Sequence, residues 1–104
     1  MKKNTSWEDL LKVLEELQVA GDFSIDCHRQ VYKKFYEYKR VGATPPNRIY
    51  IDHEMDEVTF EWFDDQMKFM CELKITKSGS QLISKSEEGE DISIMRIPPY
   101  PIKN

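Results

Sequence analysis

The spacing of apolar residues changes at Pro45-Pro46, and this change limits the chain to one class of fold. Before the two prolines, apolar residues recur every three or four positions, which is typical of amphipathic helices. After them, apolar and polar residues alternate, which is typical of strands with one buried face. Two adjacent prolines cannot continue a helix and favour an extended chain. The sequence therefore predicts an α+β fold in which a helical half precedes a β half.

The helical half is predicted to contain two helices, at about 6–19 and 25–40. The segment Thr5-Ser-Trp-Glu8 matches a capping box and marks the start of the first helix. Asp22 or Ser24 can cap the second helix. The predicted buried stripes are Trp7, Leu10, Leu11, Leu14 and Leu17 in the first helix, and Ile25, Cys27, Val31, Phe35 and Tyr38 in the second.

The β half is predicted to form an antiparallel meander of four or five strands on which the two helices pack. Val58, Phe60 and Trp62 are predicted to face the helices, and the residues that alternate with them are predicted to face water. A Pro-rich, extended tail is predicted over 98–104, and we expect residues 1–104 to form a single domain. The predicted strands cover about 47–52, 57–63, 67–76, 81–85 and 91–97.

Charge and cysteine content narrow the class of protein. The formal net charge of −4 argues against general binding to DNA or to anionic membranes. No apolar run reaches the ~20 residues that span a bilayer, and carboxylates interrupt the N-terminal segment before the apolar core of a signal peptide could form. Cys27 and Cys71 are therefore expected to be free thiols in the core of a cytoplasmic protein.

Residues 52–65, DHEMDEVTFEWFDD, contain seven carboxylates, one histidine and no basic side chain. Calcium requires a longer loop with a glycine at its bend, and zinc requires further His or Cys ligands beside His53, so we expect no metal. Acid–base catalysis requires a carboxylate in a dry pocket, which an outer strand face does not provide. We therefore expect no catalytic residue and no cofactor.

Two interpretations of this acidic stretch remain. It is either an acidic surface that attracts a basic partner or a solvated rim that prevents strands from aggregating edge to edge. The candidate partner-binding residues are Asp52, Glu54, Asp56, Glu57, Glu61, Asp64 and Asp65.

The second predicted helix carries the opposite charge. Its basic and aromatic side chains recur at helical spacing and so form one stripe, which consists of Arg29, Lys33, Tyr36 and Arg40. Cations interleaved with aromatic rings can follow a phosphate backbone and stack on bases. The stripe therefore supports nucleic-acid binding as an alternative function, while a solvated helix face that pairs with carboxylates of the first helix is the plainer interpretation.

The C-terminal segment Ile97-Pro-Pro-Tyr-Pro-Ile102 is predicted to be extended, near the polyproline II conformation. It either lies over an apolar surface, with Tyr100 and Ile102 as its contacts, or serves as a docking segment for a partner.

The stretch 45–62, PPNRIYIDHEMDEVTFEW, resembles a segment of small uncharacterised α+β proteins of bacteria, plasmids and phages. In those proteins a helical part precedes a β-meander, and Pro-Pro, a short strand, an acidic turn and a strand ending in Glu-Trp follow one another. The resemblance implies an α+β fold and an origin on a mobile element, and it identifies no active-site residues. The turn at 53–57 departs from the pattern because it lacks a glycine.

The lack of a catalytic motif, together with many aromatic and charged residues, favours a binding protein over an enzyme. We expect a non-enzymatic inhibitor or antagonist that covers the surface of another protein, one with a basic surface. By analogy with the resemblance, it would be of the phage anti-defence, immunity or antitoxin type. A homodimer is also predicted if Tyr50, Phe63 and Met70 form an exposed apolar patch on the outer sheet face.

Overall fold

The computed structural model describes residues 6–63, 69–86, 88 and 90–101, and it contains two helices followed by a five-stranded antiparallel sheet. The strands pair in chain order, so the sheet is a meander. This confirms the predicted α+β fold. The elements are α1 (Trp7–Val19), α2 (Ile25–Arg40), β1 (Arg48–Asp52), β2 (Glu57–Phe63), β3 (Phe69–Thr76), β4 (Gly79–Lys85) and β5 (Asp91–Ile97).

The observed bounds lie close to the predicted ones. The largest difference within the described residues is at β4, which begins at Gly79 and not at 81. The predicted start of the third strand at 67 falls outside the described residues. Gly79 has φ +131°, and a Cβ added there would lie 2.6 Å from the Ile97 carbonyl oxygen, so only glycine lets β4 approach the end of β5 this closely.

A serine caps each helix. The Ser6 hydroxyl accepts the Asp9 N–H at 3.2 Å, so the N-cap is Ser6 and the prediction of a cap at Thr5 is wrong. The Ser24 hydroxyl accepts the Cys27 N–H at 3.0 Å, which confirms one of the two predicted caps of α2. Among the described residues, no helix is long and apolar enough to cross a membrane.

The core lies between the two helices and the inner face of β2 and β3. The predicted inward set of β2 is confirmed, and both cysteines are free thiols, with Cys27 buried and Cys71 partly buried against the core. Ile25 was predicted to be part of the buried stripe of α2, but it is exposed at the first turn of the helix. The buried core consists of Trp7, Leu10, Leu14, Phe23, Cys27, Val31, Phe35, Val58, Phe60, Trp62, Leu73 and Ile75.

The outer face of the sheet is buried at its centre, and the prediction that this face is wet is wrong there. Thr59 is buried, and Glu61 and Glu72 are only 2% and 7% exposed. The two glutamates lie directly opposite each other on β2 and β3. Long side chains from neighbouring strands reach them, because Arg48 on β1 contacts Glu61 and Lys85 on β4 contacts Glu72.

The turn between β1 and β2 contains an aspartate where a glycine was expected. Asp56 has φ +54°, the left-handed conformation that glycine adopts freely and aspartate tolerates. Its carboxylate accepts the Ser24 N–H at 2.7 Å and the Ser24 hydroxyl at 2.6 Å. The aspartate therefore takes the conformation of the missing glycine and also fixes the turn to the N-terminus of α2.

Candidate functional site

An open depression of about 420 Å³ lies where the β1–β2 turn meets the outer face of β2 and β3. We call it the acidic depression, because five carboxylates and a single lysine line it. Its residues are Tyr50, Ile51, Asp52, His53, Glu54, Glu57, Thr59, Glu61, Glu72 and Lys74.

The base of the acidic depression is formed by the two buried glutamates, each of which has a cationic partner. The Arg48 Nε lies 2.6 Å from the Glu61 Oε1, and this hydrogen bond raises the pKa of Arg48. The Lys85 Nζ lies 3.4 Å from the Glu72 Oε1 and 2.7 Å from the Asp91 Oδ1. These pairs hold the base in one geometry, since a buried carboxylate needs a charged or hydrogen-bonding partner.

The rim of the acidic depression is accessible to solvent. Asp52 and Glu54 are exposed, and Glu57 is half-buried. The Asp52 carboxylate accepts the Met55 N–H at 3.0 Å, which fixes the turn. Tyr50 exposes its ring at the side of the depression, 5.4 Å from the Arg48 guanidinium. A cluster of carboxylates beside an exposed aromatic ring can bind a lysine or arginine side chain of a partner.

The structure brings together four of the seven predicted partner-binding residues, which are Asp52, Glu54, Glu57 and Glu61. Asp56 is directed instead to Ser24, and it does not line the depression. Asp64 and Asp65 lie outside the described residues.

Sequence reasoning did not include Glu72 and Lys74 in the site, although both line it. They come from β3 and are brought beside β2 by the register that pairs Glu61 with Glu72 and Thr59 with Lys74. Alternation of apolar and polar residues in β3 places these two side chains on the outer face. It does not specify which residues of β2 they lie opposite. Among the described residues, no group of three or more His, Cys, Asp or Glu side chains is arranged to hold a metal ion.

A larger groove, of about 1020 Å³, lies on the other side of the molecule, between the C-terminal half of α2, the end of β5 and the tail that follows it. We call it the basic groove, because four cations and one carboxylate line it. Its residues are Lys33, Lys34, Tyr36, Glu37, Lys39, Arg40, Val41, Ile97, Pro98 and Tyr100.

The tail forms one wall of the basic groove because α2 holds its backbone. The Gln30 side chain accepts the Tyr100 N–H at 2.8 Å and donates to the Tyr100 carbonyl at 3.0 Å. Lys34 is only 3% exposed, and its Nζ lies 5.1 Å from the centre of the Tyr100 ring and 3.4 Å from the Glu37 Oε1. Tyr100 contacts the body of the protein as predicted, but it does so through Gln30 and the Lys34 ammonium and not through an apolar surface. Ile102 lies outside the described residues.

The basic stripe predicted on the second helix is exposed at all four positions. Lys33, Tyr36 and Arg40 line the basic groove, while Arg29 lies outside it and forms an exposed ion pair with Asp26 at 3.7 Å. Within the part of the chain that the structure describes, Lys33 and Arg40 form no ion pair. Their charges are therefore available to a partner.

One cation of the groove pairs with the first helix instead. The Lys39 ammonium contacts the Glu8 carboxylate of α1, and this hydrogen bond lowers the pKa of Glu8. This contact confirms that a basic side chain of the second helix pairs with a carboxylate of the first.

Cys27 and His28, two side chains that could support covalent or proton-transfer chemistry, line neither concave surface. Burial, reinforced by the charges of Asp56 and Glu57, raises the pKa of Cys27 to about 12, so its thiol stays protonated at neutral pH. Burial also lowers the pKa of His28, whose Nδ1 has no hydrogen-bond partner among the described residues. This arrangement favours a packing role for Cys27.

No protein-family model matches the chain, and no curated protein or solved structure is significantly similar to it. Its function is therefore inferred from its own residues and their geometry.

Proposed function

We propose that this protein is a small cytoplasmic binding protein without enzymatic activity that inhibits or antagonises another protein by covering its surface. The partner presents lysine or arginine side chains, and the acidic depression receives them. An inhibitor of the phage anti-defence, immunity or antitoxin type would act in this way, since an acidic surface is complementary to a target with a basic groove that binds nucleic acid.

The observation that supports this proposal is the convergence of five carboxylates and one exposed tyrosine on a single depression. The rim carboxylates Asp52 and Glu54 produce a negative field that increases the association rate with a basic partner. Glu61 and Glu72 at the base are already held by cations, so binding requires little reorganisation there. Tyrosine is among the residues that contribute most to binding energy in protein interfaces, and Tyr50 is exposed beside the carboxylates.

The test compares which proteins the natural protein and a depression variant capture from a lysate of the organism that carries the gene. The depression variant combines Asp52→Asn, Glu54→Lys and Glu57→Lys. Asparagine keeps the acceptor for the Met55 N–H, and Glu61 is left intact, so the fold is preserved. We expect the natural protein to capture a defined protein with a Lys- and Arg-rich surface, the depression variant to lose it, and the purified partner to lose activity when the natural protein binds.

The matched control combines Asp9→Asn, Glu15→Lys and Glu16→Lys, which makes the same change in charge at three exposed positions of α1. We expect this variant to capture the partner as the natural protein does. Equal capture by the depression variant and the natural protein would contradict the proposed site. A captured partner whose activity is unchanged would contradict the inhibitory role.

Nucleic-acid binding is the second candidate, and one observation favours it. Arg29, Lys33, Tyr36 and Arg40 are all exposed on one face of α2, and the Tyr32 and Tyr36 rings lie 4.8 Å apart beside them. If the stripe binds RNA or DNA, replacing Arg29, Lys33 and Arg40 with alanine will abolish a gel shift whose affinity falls steeply with salt. No gel shift with the natural protein at low salt would exclude this candidate.

A further inference from the structure

The edge strand β5 is open to pairing along its outer side. In the described part of the chain it pairs with β4 alone, so the backbone N–H and C=O groups that point away from β4 have no strand partner. Such an edge is a template for another extended chain unless charges, prolines or bulges block it. The register shift at Lys85 and the prolines after Ile97 protect only the two ends of β5.

Between those protected ends, β5 exposes apolar side chains on both of its faces. Ile92 and Met95 are 67% and 60% exposed, and Ile94 is exposed as well. On the inner face of β5, Met95 is open to solvent, and among the described residues the main helix–sheet contacts of α2 are with β2 and β3. Exposed apolar residues of this kind on a sheet edge usually mark a contact with another chain.

The basic groove continues from this edge. Ile97 is the last residue of β5 and lines the groove, and side chains two positions apart lie on the same face of a strand, so Met95 is next to the groove on its inner side. A chain that pairs with β5 would therefore pass Met95 and enter a space lined by Lys33 and Arg40.

We propose that the β5 edge and the basic groove together bind an extended, acidic segment of a partner protein by strand addition. The backbone of the segment pairs with β5, its apolar residues cover Ile94 or Met95, and its carboxylates contact Lys33 and Arg40. Backbone pairing supplies the affinity in this mode of recognition, and side chains at alternating positions supply the specificity. This surface is separate from the acidic depression and selects a partner segment of opposite charge.

The charge of the groove favours an acidic segment as its occupant. Lys33 and Arg40 line the groove, are exposed and form no ion pair among the described residues, so carboxylates of the segment can neutralise them. A second copy of the chain is the competing occupant. Antiparallel pairing of two β5 strands would keep their basic grooves at opposite ends of the paired region, because each groove lies at the C-terminal end of β5.

A polypeptide also fits the edge better than a nucleic acid does. Phosphates could contact Lys33 and Arg40, but they cannot satisfy N–H and C=O groups that alternate along β5. The exposed side chains Ile92, Ile94 and Met95 have no aromatic face on which a base could stack.

The experiment uses a synthetic peptide of about ten residues in which glutamate alternates with valine, since strand addition engages segments of this length. Its binding to the natural protein is measured by NMR titration and by amide hydrogen exchange at saturation. We expect new protection at alternate amides of β5, because every second N–H of an edge strand points away from its neighbour. We also expect the variant with Lys33→Glu and Arg40→Glu to lose affinity by about tenfold or more.

The control variant carries Lys12→Glu and Lys77→Glu, which make the same change in charge at exposed positions on α1 and in the β3–β4 turn. It should bind the peptide like the natural protein. Binding without protection of β5 amides would overturn strand addition. Tighter binding of an oligouridine than of the peptide, or self-association through β5 that the peptide does not displace, would overturn the choice of an acidic segment.

Discussion

The acidic depression and the basic groove differ in how the fold builds them. The depression lies over β2 and β3, which have strands on both sides, and its buried carboxylates each have a cation from a neighbouring strand. The groove lies at the margin of the sheet, where β5 pairs with β4 alone among the described residues and the tail supplies one wall. The difference indicates that the depression is a preformed surface, whereas the β5 edge beside the groove has backbone groups with no strand partner in the described part of the chain, which an extended chain can pair with.

The largest expected effect concerns the base of the depression. Replacing Glu61 with lysine should lower the free energy of unfolding by about 3 to 5 kcal/mol, because it places a second cation beside Arg48 in a buried site. The same change at the exposed Glu54 should alter it by less than about 0.5 kcal/mol. Urea unfolding of both variants measures the difference, and equal effects would show that the base is not a preformed structure.

Asp56 provides the next test, since it belongs to the acidic segment but not to the depression. Asp56→Ala should lower the free energy of unfolding by about 2 to 3 kcal/mol, because it removes two charge-assisted hydrogen bonds to Ser24. Asp56→Asn should cost less, since asparagine tolerates the same backbone conformation and keeps one acceptor. An unchanged free energy of unfolding for Asp56→Ala, in thermal or urea unfolding, would show that the turn does not depend on the contact between Asp56 and Ser24.

The expected effect at the basic groove is smaller, because neutral hydrogen bonds from one side chain, Gln30, hold the backbone of the tail. Gln30→Ala should lower the free energy of unfolding by about 1 to 2 kcal/mol by removing two hydrogen bonds to Tyr100. Hydrogen exchange at the Tyr100 amide should become faster in this variant. Gln18→Ala in α1 serves as the control, and unchanged exchange at Tyr100 after Gln30→Ala would show that the tail is held elsewhere.

The smallest expected effect is on the pH dependence of the free energy of unfolding. It comes from His28, which lines neither the acidic depression nor the basic groove. Burial lowers the pKa of His28 in the folded protein, and this outweighs the Glu15 carboxylate, which raises it. The unfolded chain therefore takes up the proton at higher pH, and stability should fall as the pH decreases from about 7.5 to about 5.5. Urea unfolding of His28→Phe should show a weaker pH dependence than the natural protein, and identical profiles would contradict this assignment.

Much of the fold could be predicted from the sequence, because local periodicity determines it. The alternation of Val58, Phe60 and Trp62 was sufficient to identify the inner face of β2. Burial of Glu61 on the other face was not predicted, because it depends on which side chains of the neighbouring strands cover Glu61. The strand register determines those neighbours by placing Arg48 and Glu72 on either side of Glu61. Periodicity does not specify the register.

The candidate site was predictable only in part, for the same reason. The acids of the turn lie within six positions of the sequence, 52–57, so their clustering near one turn could be predicted. The basic groove joins α2 to the tail through Gln30 and Tyr100, which are 70 positions apart, and no local pattern indicates that contact.

The central claim is that one small fold presents two surfaces of opposite charge that select different partners. Fluorescence titration with an arginine-rich peptide and with the Glu-Val peptide, at about 0.15 M salt, tests it most directly. We predict that the depression variant loses affinity for the arginine-rich peptide and keeps its affinity for the Glu-Val peptide. The variant with Lys33→Glu and Arg40→Glu should show the opposite result. Equal weakening of both peptides by either variant would contradict the claim.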